Sequence, residues 1–270
     1  MAKKYHLEYY DVENVLHELE LYDDAFSGTS TEISGNVVYN YGSVNDPLES
    51  IRGSGLTVTL QADTTLTFDD LFTEEERQIQ VIYKRNSETK FVGWLNPEGW
   101  YESFVNDRWD VTFDVVDGLS YLKDLSYVDS SGLFYTGKQS QLEVIVNCLA
   151  RTGLQLNINT DIRIVYSGLS TSVDVLDNVF VNTQRFIKDD GDTIMDCDKV
   201  LRSILEPYGA CITMHNGEWV IFKPNQIYSS YTYVGYYYDY TGTPKTSPTH
   251  TINTSFEKLI PKNFTLTNHA

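Results

Sequence analysis

Asp189, Asp190 and Asp192, with Asp196 and Asp198 just beyond, form the densest group of oxygen donors in the sequence, and such density can coordinate calcium. The run lacks the Asp-x-Asp-x-Asp-Gly register and the closing bidentate Glu of a calcium-binding loop. Loop acids and one helix cap account for it equally well. Glu74, Glu75 and Glu76 read as a solvated helix start or loop capped by Thr73, since consecutive like charges repel. His6, His17, His215, His250 and His269 are scattered, and His17-Glu18 lacks the second His of a zinc protease helix. There is no Gly-x-Ser-x-Gly elbow and no Gly-Lys-Ser/Thr phosphate loop, and Gly53-Ser54-Gly55 is a turn before a strand. Cys148, Cys197 and Cys211 are odd in number and without CxxC spacing, which argues against a disulfide framework and a zinc knuckle. A glycosidase pair stays open among 38 acids, because such a pair is spatial rather than sequential, but nothing local marks one out. The expectation is a non-enzymatic chain with no cofactor and no bound metal.

Twenty Lys and Arg stand against 38 Asp and Glu, a net charge of −18 over 270 residues. Broad binding to nucleic-acid phosphates or to an anionic membrane is therefore disfavoured, since both need clustered cations. No run approaches the ~18 apolar residues of a membrane helix, and no apolar stretch follows the basic start. A soluble chain made in a cytoplasm is expected. Twenty Tyr against three Met suggests strands and contact surfaces rather than helical bundles.

The elements follow from periodicity. Residues 5–10 and 15–22 read as a hairpin, and Leu56, Val58 and Leu60 share one strand face. Residues 78–84 turn at Asn86-Ser87-Glu88 into 91–95. In 109–115, Trp109, Val111, Phe113 and Val115 face inward while Asp110, Thr112 and Asp114 face water. From Asp117-Gly118 the pattern turns helical. Asp117 caps a short helix carrying Leu119, Leu122 and Leu125, and Ser140-x-x-Glu143 is a capping box opening a firmer helix stopped by Gly153. A third helix is expected from about Asp192 to Glu206, then a hairpin around Asn216-Gly217.

Aromatic residues supply the candidate contacts. Trp109 is in phase with Val111 and Phe113 and belongs to the core. Trp100 and Tyr101, beside Pro97 and Gly99, read as an exposed pair suited to subunit contact or to sugar stacking. Seven tyrosines fall between Tyr228 and Tyr240 without regular alternation, which predicts an arm rather than a core strand. Tyr231, Tyr233, Tyr236, Tyr237, Tyr238 and Tyr240 are its candidate interface residues, because Tyr buries area while keeping a polar tip.

Phe91-Val92-Gly93-Trp94-Leu95-Asn96-Pro97-Glu98, followed by Val111-Thr112-Phe113-Asp114-Val115-Val116-Asp117-Gly118-Leu119-Ser120-Tyr121-Leu122-Lys123, resembles the tail baseplate hub proteins of bacteriophages. Cys197 to Tyr208, leading into the Asn216-Gly217-Glu218-Trp219 hairpin, is similar to the same family. The resemblance implies a virion structural protein in a tail-tip ring, usually a trimer, built on tail-tube-like β-barrels with helices outside. Its partners would be copies of itself, the tail tube protein and a spike, fibre or tape-measure protein, with DNA only as passing cargo and no membrane insertion. Such hubs often carry two barrels and a longer C-terminal region, whereas this sequence runs to Asn268-His269-Ala270, which fits one barrel or a fragment.

The expected fold class is α+β: a β-rich, tube-like barrel from residues 1–116 and 227–270, interrupted by a helix-containing α+β domain at 117–226. The expected function is a tail-tip hub joining the tail tube to a spike, fibre or lytic module, located in the virion tail. The −18 balance suits a shared channel through which another polyanion must pass without sticking, with Asp110 and Asp114 as its lumen-facing residues. Two competitors remain: a carbohydrate-binding module using Trp100 and Tyr101, and a cell-wall glycan hydrolase.

Overall fold

Alternation of apolar and polar residues produces most of the regular structure in the computed structural model, which describes residues 1–41, 49–62, 66, 71–73, 76–96, 101–102, 109–162, 173–188, 190–224 and 235–246. The fold is α+β and β-rich. In chain order the first strands are β1 (Ala2–Tyr10), β2 (Leu16–Asp23), β3 (Thr31–Glu32), β4 (Gly35–Tyr41), β5 (Ile51–Arg52) and β6 (Ser54–Ala62). Next come β7 (Ile79–Arg85), β8 (Glu88–Leu95), β9 (Tyr101–Glu102), β10 (Trp109–Val116) and β11 (Lys138–Ser140). Helix α1 (Gln141–Ala150), β12 (Ile158–Asp161), α2 (Val175–Asn178), β13 (Phe180–Asn182) and α3 (Cys197–Leu205) follow. The described chain finishes with β14 (Cys211–His215), β15 (Glu218–Phe222), β16 (Tyr236–Tyr238) and β17 (Pro244–Lys245).

The chain divides into two units. The first comprises the described residues of Met1–Ser43, Gly53–Ser120 and Thr152–Leu154, and the second those of Val44–Arg52, Tyr121–Arg151 and Gln155–Ala270.

In the first unit one sheet runs in the order β3-β1-β2-β7-β8-β10-β6-β4, with β9 on β10. Its two end strands are joined by only Ile33 and Ser34. The Ile33 amide donates to His6 O of β1 at 2.8 Å, and Ser34 O accepts from the Gln61 amide of β6 at 2.8 Å. One short link thus bonds both ends of the ladder, so the sheet curls closed. Further along the seam the Val37 amide of β4 donates to the Tyr9 hydroxyl of β1, a side chain standing where a ladder bond would be. The Tyr39 ring of β4 lies 5.7 Å from Phe91 of β8, across the interior rather than along the sheet.

The interior is filled by the residues that period-two reading puts on one face: Leu7, Leu19 and Leu21, then Val58 and Leu60, then Val81, Phe91, Val111 and Phe113, all 3% exposed or less. Burying each such side chain contributes about 1.5–3 kcal/mol, which makes this packing the main support of the unit. Turns agree with the chemistry of their residues. Asn86 and Ser87, both at positive φ (52° and 60°), join β7 to β8.

The second unit is built on a mixed sheet in the order β17-β16-β12-β15-β14-β5, with β12 parallel to β15 and β14 parallel to β5. β11 and β13 form a separate two-stranded ribbon. Helix α1 opens with the expected capping box: Ser140 Oγ accepts from the Glu143 amide at 3.1 Å, and the Glu143 carboxylate accepts from the Ser140 amide at 2.6 Å. Asn216 and Gly217, at φ 51° and 69°, make the β14–β15 turn.

The expected short helix after Asp117 forms as a 3-10 turn at residues 120–123, with Asp117 taking the Leu119 amide as well as Ser54. Three expectations change. Helix α3 begins at Cys197 rather than near Asp192, since Asp196 is its cap and accepts from the Lys199 amide at 2.8 Å. Ile194 instead pairs with Ile187 in an extended bridge. The described part of the tyrosine-rich stretch is a sheet strand, not an arm. It belongs to the second unit, pairing with β12, whereas the sequence reading placed 227–270 with the first.

Candidate functional site

The outer surface of the first unit's closed sheet has two chemically distinct walls. On β1, β2 and β7, Glu20 accepts from Lys3 at 3.0 Å and Lys84 at 2.6 Å. Burial by itself would raise the Glu20 carboxyl, but the two lysine hydrogen bonds outweigh it and hold the group below its ordinary range. Among the described residues, strands β4, β6 and β10 contain no Lys, Arg or His. Here Val38, Thr57 and Asp114 stand side by side in register, as do Asn36, Thr59 and Thr112. Asn40 Nδ2 donates to Thr57 Oγ1 at 2.9 Å, Thr57 Oγ1 donates to Asp114 at 2.8 Å, and the hydroxyls of Thr59 and Thr112 meet at 3.1 Å. Asp110 and Asp114 both point away from the packed interior and are exposed. The surface is hydroxylated and acidic.

The stretch that carries the family resemblance gathers at one junction of the same unit. Trp94 Nε1 donates to Thr152 O at 2.9 Å. Gly93 is forced by space: a Cβ there would lie 2.4 Å from Val116 O and 2.6 Å from the Phe91 ring. Asp117 is 2% exposed and accepts from the Ser54 amide at 2.6 Å, the Ser54 hydroxyl at 3.0 Å and the Leu119 amide at 3.0 Å. Burial pushes its carboxyl up to about 6, although those hydrogen bonds favour the charged form. No substrate reaches a group so enclosed, and the motif's role is packing.

A third cluster escapes sequence reading. His17 Nε2 lies 3.1 Å from Asp11 Oδ2, and His17 Nδ1 lies 2.7 Å from Tyr83 Oη. The order carboxylate, imidazole, hydroxyl is that of a nucleophilic triad. Burial nevertheless pushes the Tyr83 phenol up to about 12, and Tyr9 stacks on the imidazole at 4.8 Å and 9°. The phenol is 7% exposed, so the arrangement is a polar latch between β1, β2 and β7.

In the second unit the candidate tyrosines fall into different roles. Tyr238 is 4% exposed and donates to Asp174 Oδ2 at 3.0 Å, an oxygen that also accepts from Thr160 Oγ1 at 2.5 Å. Burial raises the Asp174 carboxyl, against these bonds and that of the Leu176 amide. Tyr237 donates to Glu218 and accepts from Asn157 Nδ2 at 2.8 Å. Tyr236 is half-buried, and Tyr240 is 46% exposed. Tyr101 lies in β9 opposite Thr112, while Trp100, Tyr231 and Tyr233 lie outside the described residues. Of the acidic run, Asp190 turns back on its own loop to take the Asp192 and Thr193 amides, and Asp196 serves α3. Among the described residues no three His, Cys, Asp or Glu gather as a metal site, and the three cysteines are buried free thiols.

One groove of about 550 Å³ opens in this unit, between the first turns of α1, the β11–β13 ribbon and the turn at 241–244. Its walls combine Phe180, Leu142 and Val146 with Glu143, Asn147 and Asp177. No helix among the described residues is long and apolar enough to cross a membrane.

No protein-family model matches the chain, and no curated protein matches it. Among solved structures it is similar to the 43 kDa tail protein of prophage MuSo2 from Shewanella oneidensis, at 14% identity and a TM-score of 0.42. The match covers 76% of this chain and 53% of that one, so the chain spans about half the length of the tail protein. A likeness of that degree decides nothing about function.

Proposed function

We propose that this chain is a structural subunit of a bacteriophage tail tip: a hub that assembles with copies of itself and joins the tail tube to a spike, fibre or lytic module. The observation that carries the reading is the cation-free wall of β4, β6 and β10. A wall that exposes Asp110 and Asp114 and, among the described residues, no cation repels phosphates weakly over a Debye length of ~8 Å, so DNA slides past without binding. The ion-paired wall of β1, β2 and β7 then faces away from the channel. Two further features support a building block over an enzyme. The barrel interior is packed solid, and the residues shared with the hub family serve as joints.

Electron microscopy of the purified chain, alone and with a tail tube protein, tests the reading. The expected result is a ring with Asp110 and Asp114 on its inner surface. A D110K/D114K ring is expected to retain double-stranded DNA at low salt, where the unaltered ring does not. A ring that places these two residues on its outer circumference overturns the channel assignment, and a chain that stays monomeric under all these conditions overturns the hub.

A further inference from the structure

The groove in the second unit takes no part in the barrel, and its lining is of one recognisable chemical kind. We infer that it is a binding site for a neutral oligosaccharide. Its volume of about 550 Å³ lies within the usual range of small-molecule sites.

Phe180 is the central observation. It is 61% exposed, the more notable because its neighbour Val181 is 8% exposed. Alternation along β13 turns Val181 into the unit and Phe180 out into the groove, so the fold itself does not need an aromatic ring at position 180. An exposed aromatic face backed by Leu142 and Val146 gains from being covered by apolar C–H groups. Around it stand Glu143, Asp177 and Asn147, which accept or donate hydrogen bonds.

The ligand that presents both surfaces at once is a pyranose ring, with C–H groups on its faces and hydroxyls around its edge. Hydroxyls donating to carboxylates form charge-assisted bonds, stronger than neutral ones. None of the described residues that line the groove is Lys, Arg or His, so a phosphorylated or otherwise anionic ligand finds no counter-charge. A wholly apolar ligand desolvates the Asp177 and Glu143 carboxylates, of which Glu143 already takes the Ser140 amide, and this costs binding energy. A neutral sugar satisfies every wall.

This assignment is independent of the tail-tip reading, which electron microscopy tests separately. The experiment is saturation-transfer NMR on the full chain with cellotriose and with the trimer of N-acetylglucosamine. At least one is expected to receive saturation on its ring C–H groups, with a Kd between about 0.1 and 10 mM, the range of a shallow site with few contacts. F180A is expected to abolish the transfer while leaving the urea midpoint within error, because the ring supports nothing in the core. N147A is expected to weaken binding several-fold, and V12A, at an exposed position in the other unit, to leave it unchanged. Absence of transfer from both sugars at about 10 mM overturns the proposal, as does transfer that survives F180A. Salt-sensitive binding of pentalysine without binding of either sugar also overturns it, since the groove then reads cations.

Discussion

Asp117 and Ser54 are 63 residues apart in sequence, yet one carboxylate oxygen of Asp117 takes both the amide and the hydroxyl of Ser54, at 2.6 and 3.0 Å. This bond ties the start of β6 to the end of β10. It also places an ionisable group where water does not reach.

The pH dependence of stability follows. The Asp117 carboxyl titrates near 6 when folded, against 3.8 for an ordinary Asp, so between those values the folded chain holds a proton that the unfolded chain has lost. Stability therefore falls as pH rises through this window, by roughly 3 kcal/mol for a shift of about two units, and stays lower above it. Urea midpoints at pH 4.5 and 7 read the effect. The decline is expected in the unaltered chain and is smaller in D117N, where Asp174, also raised by burial, still contributes in the same direction. An equal decline in both proteins means that another group is responsible.

Tyr238→Phe tests whether the tyrosine strand is held by its own unit. The substitution keeps the ring and removes the donor to Asp174, leaving a buried acceptor short of one bond, at a cost of about 1–3 kcal/mol. The loss should appear in chemical denaturation of the isolated chain. Amide exchange at β16 should accelerate with it. A chain indifferent to Y238F places the anchoring of β16 elsewhere.

Gly93→Ala should destabilise the first unit severely, more than most single core changes. The new methyl group meets Val116 O, a backbone atom that cannot rotate aside. The expected outcome is loss of at least about 3 kcal/mol or failure to fold, seen as reduced soluble yield and loss of near-ultraviolet circular dichroism. Normal stability would mean that β8 and β10 part easily at this point.

What could be read in the sequence was local. The Asn86-Ser87 and Asn216-Gly217 turns, the alternation of 109–115 and the Ser140/Glu143 box each carry their signal within a few residues, and each forms as that signal dictates. Asp117 shows where local reading stops. As a helix cap it was identified by one neighbour, Leu119, but its stronger partner lies on a distant strand. Tyr238 escapes local reading for a similar reason: density of tyrosines suggests a surface arm, while Asp174, which accepts from Tyr238 and from Thr160 on the same oxygen, is far away in sequence. The groove is composed of three separate segments, and Phe180 stands out only once β13 is known to pair with β11. Asp110 and Asp114 were placed on the correct strand face by alternation alone.

The two-residue link of Ile33 and Ser34 has a consequence for how copies of the chain can meet. An open sheet offers its terminal strands as templates, and neighbouring molecules add to them in register, which is the usual start of fibrous aggregation. In the first unit those terminal strands are bonded to each other's side of the ladder through the link, with the Tyr9 hydroxyl occupying a further amide on β4. The link and the Tyr9 bond therefore take up part of the edge on which copies of this unit could otherwise add in register, which hinders growth by ladder sharing at this seam.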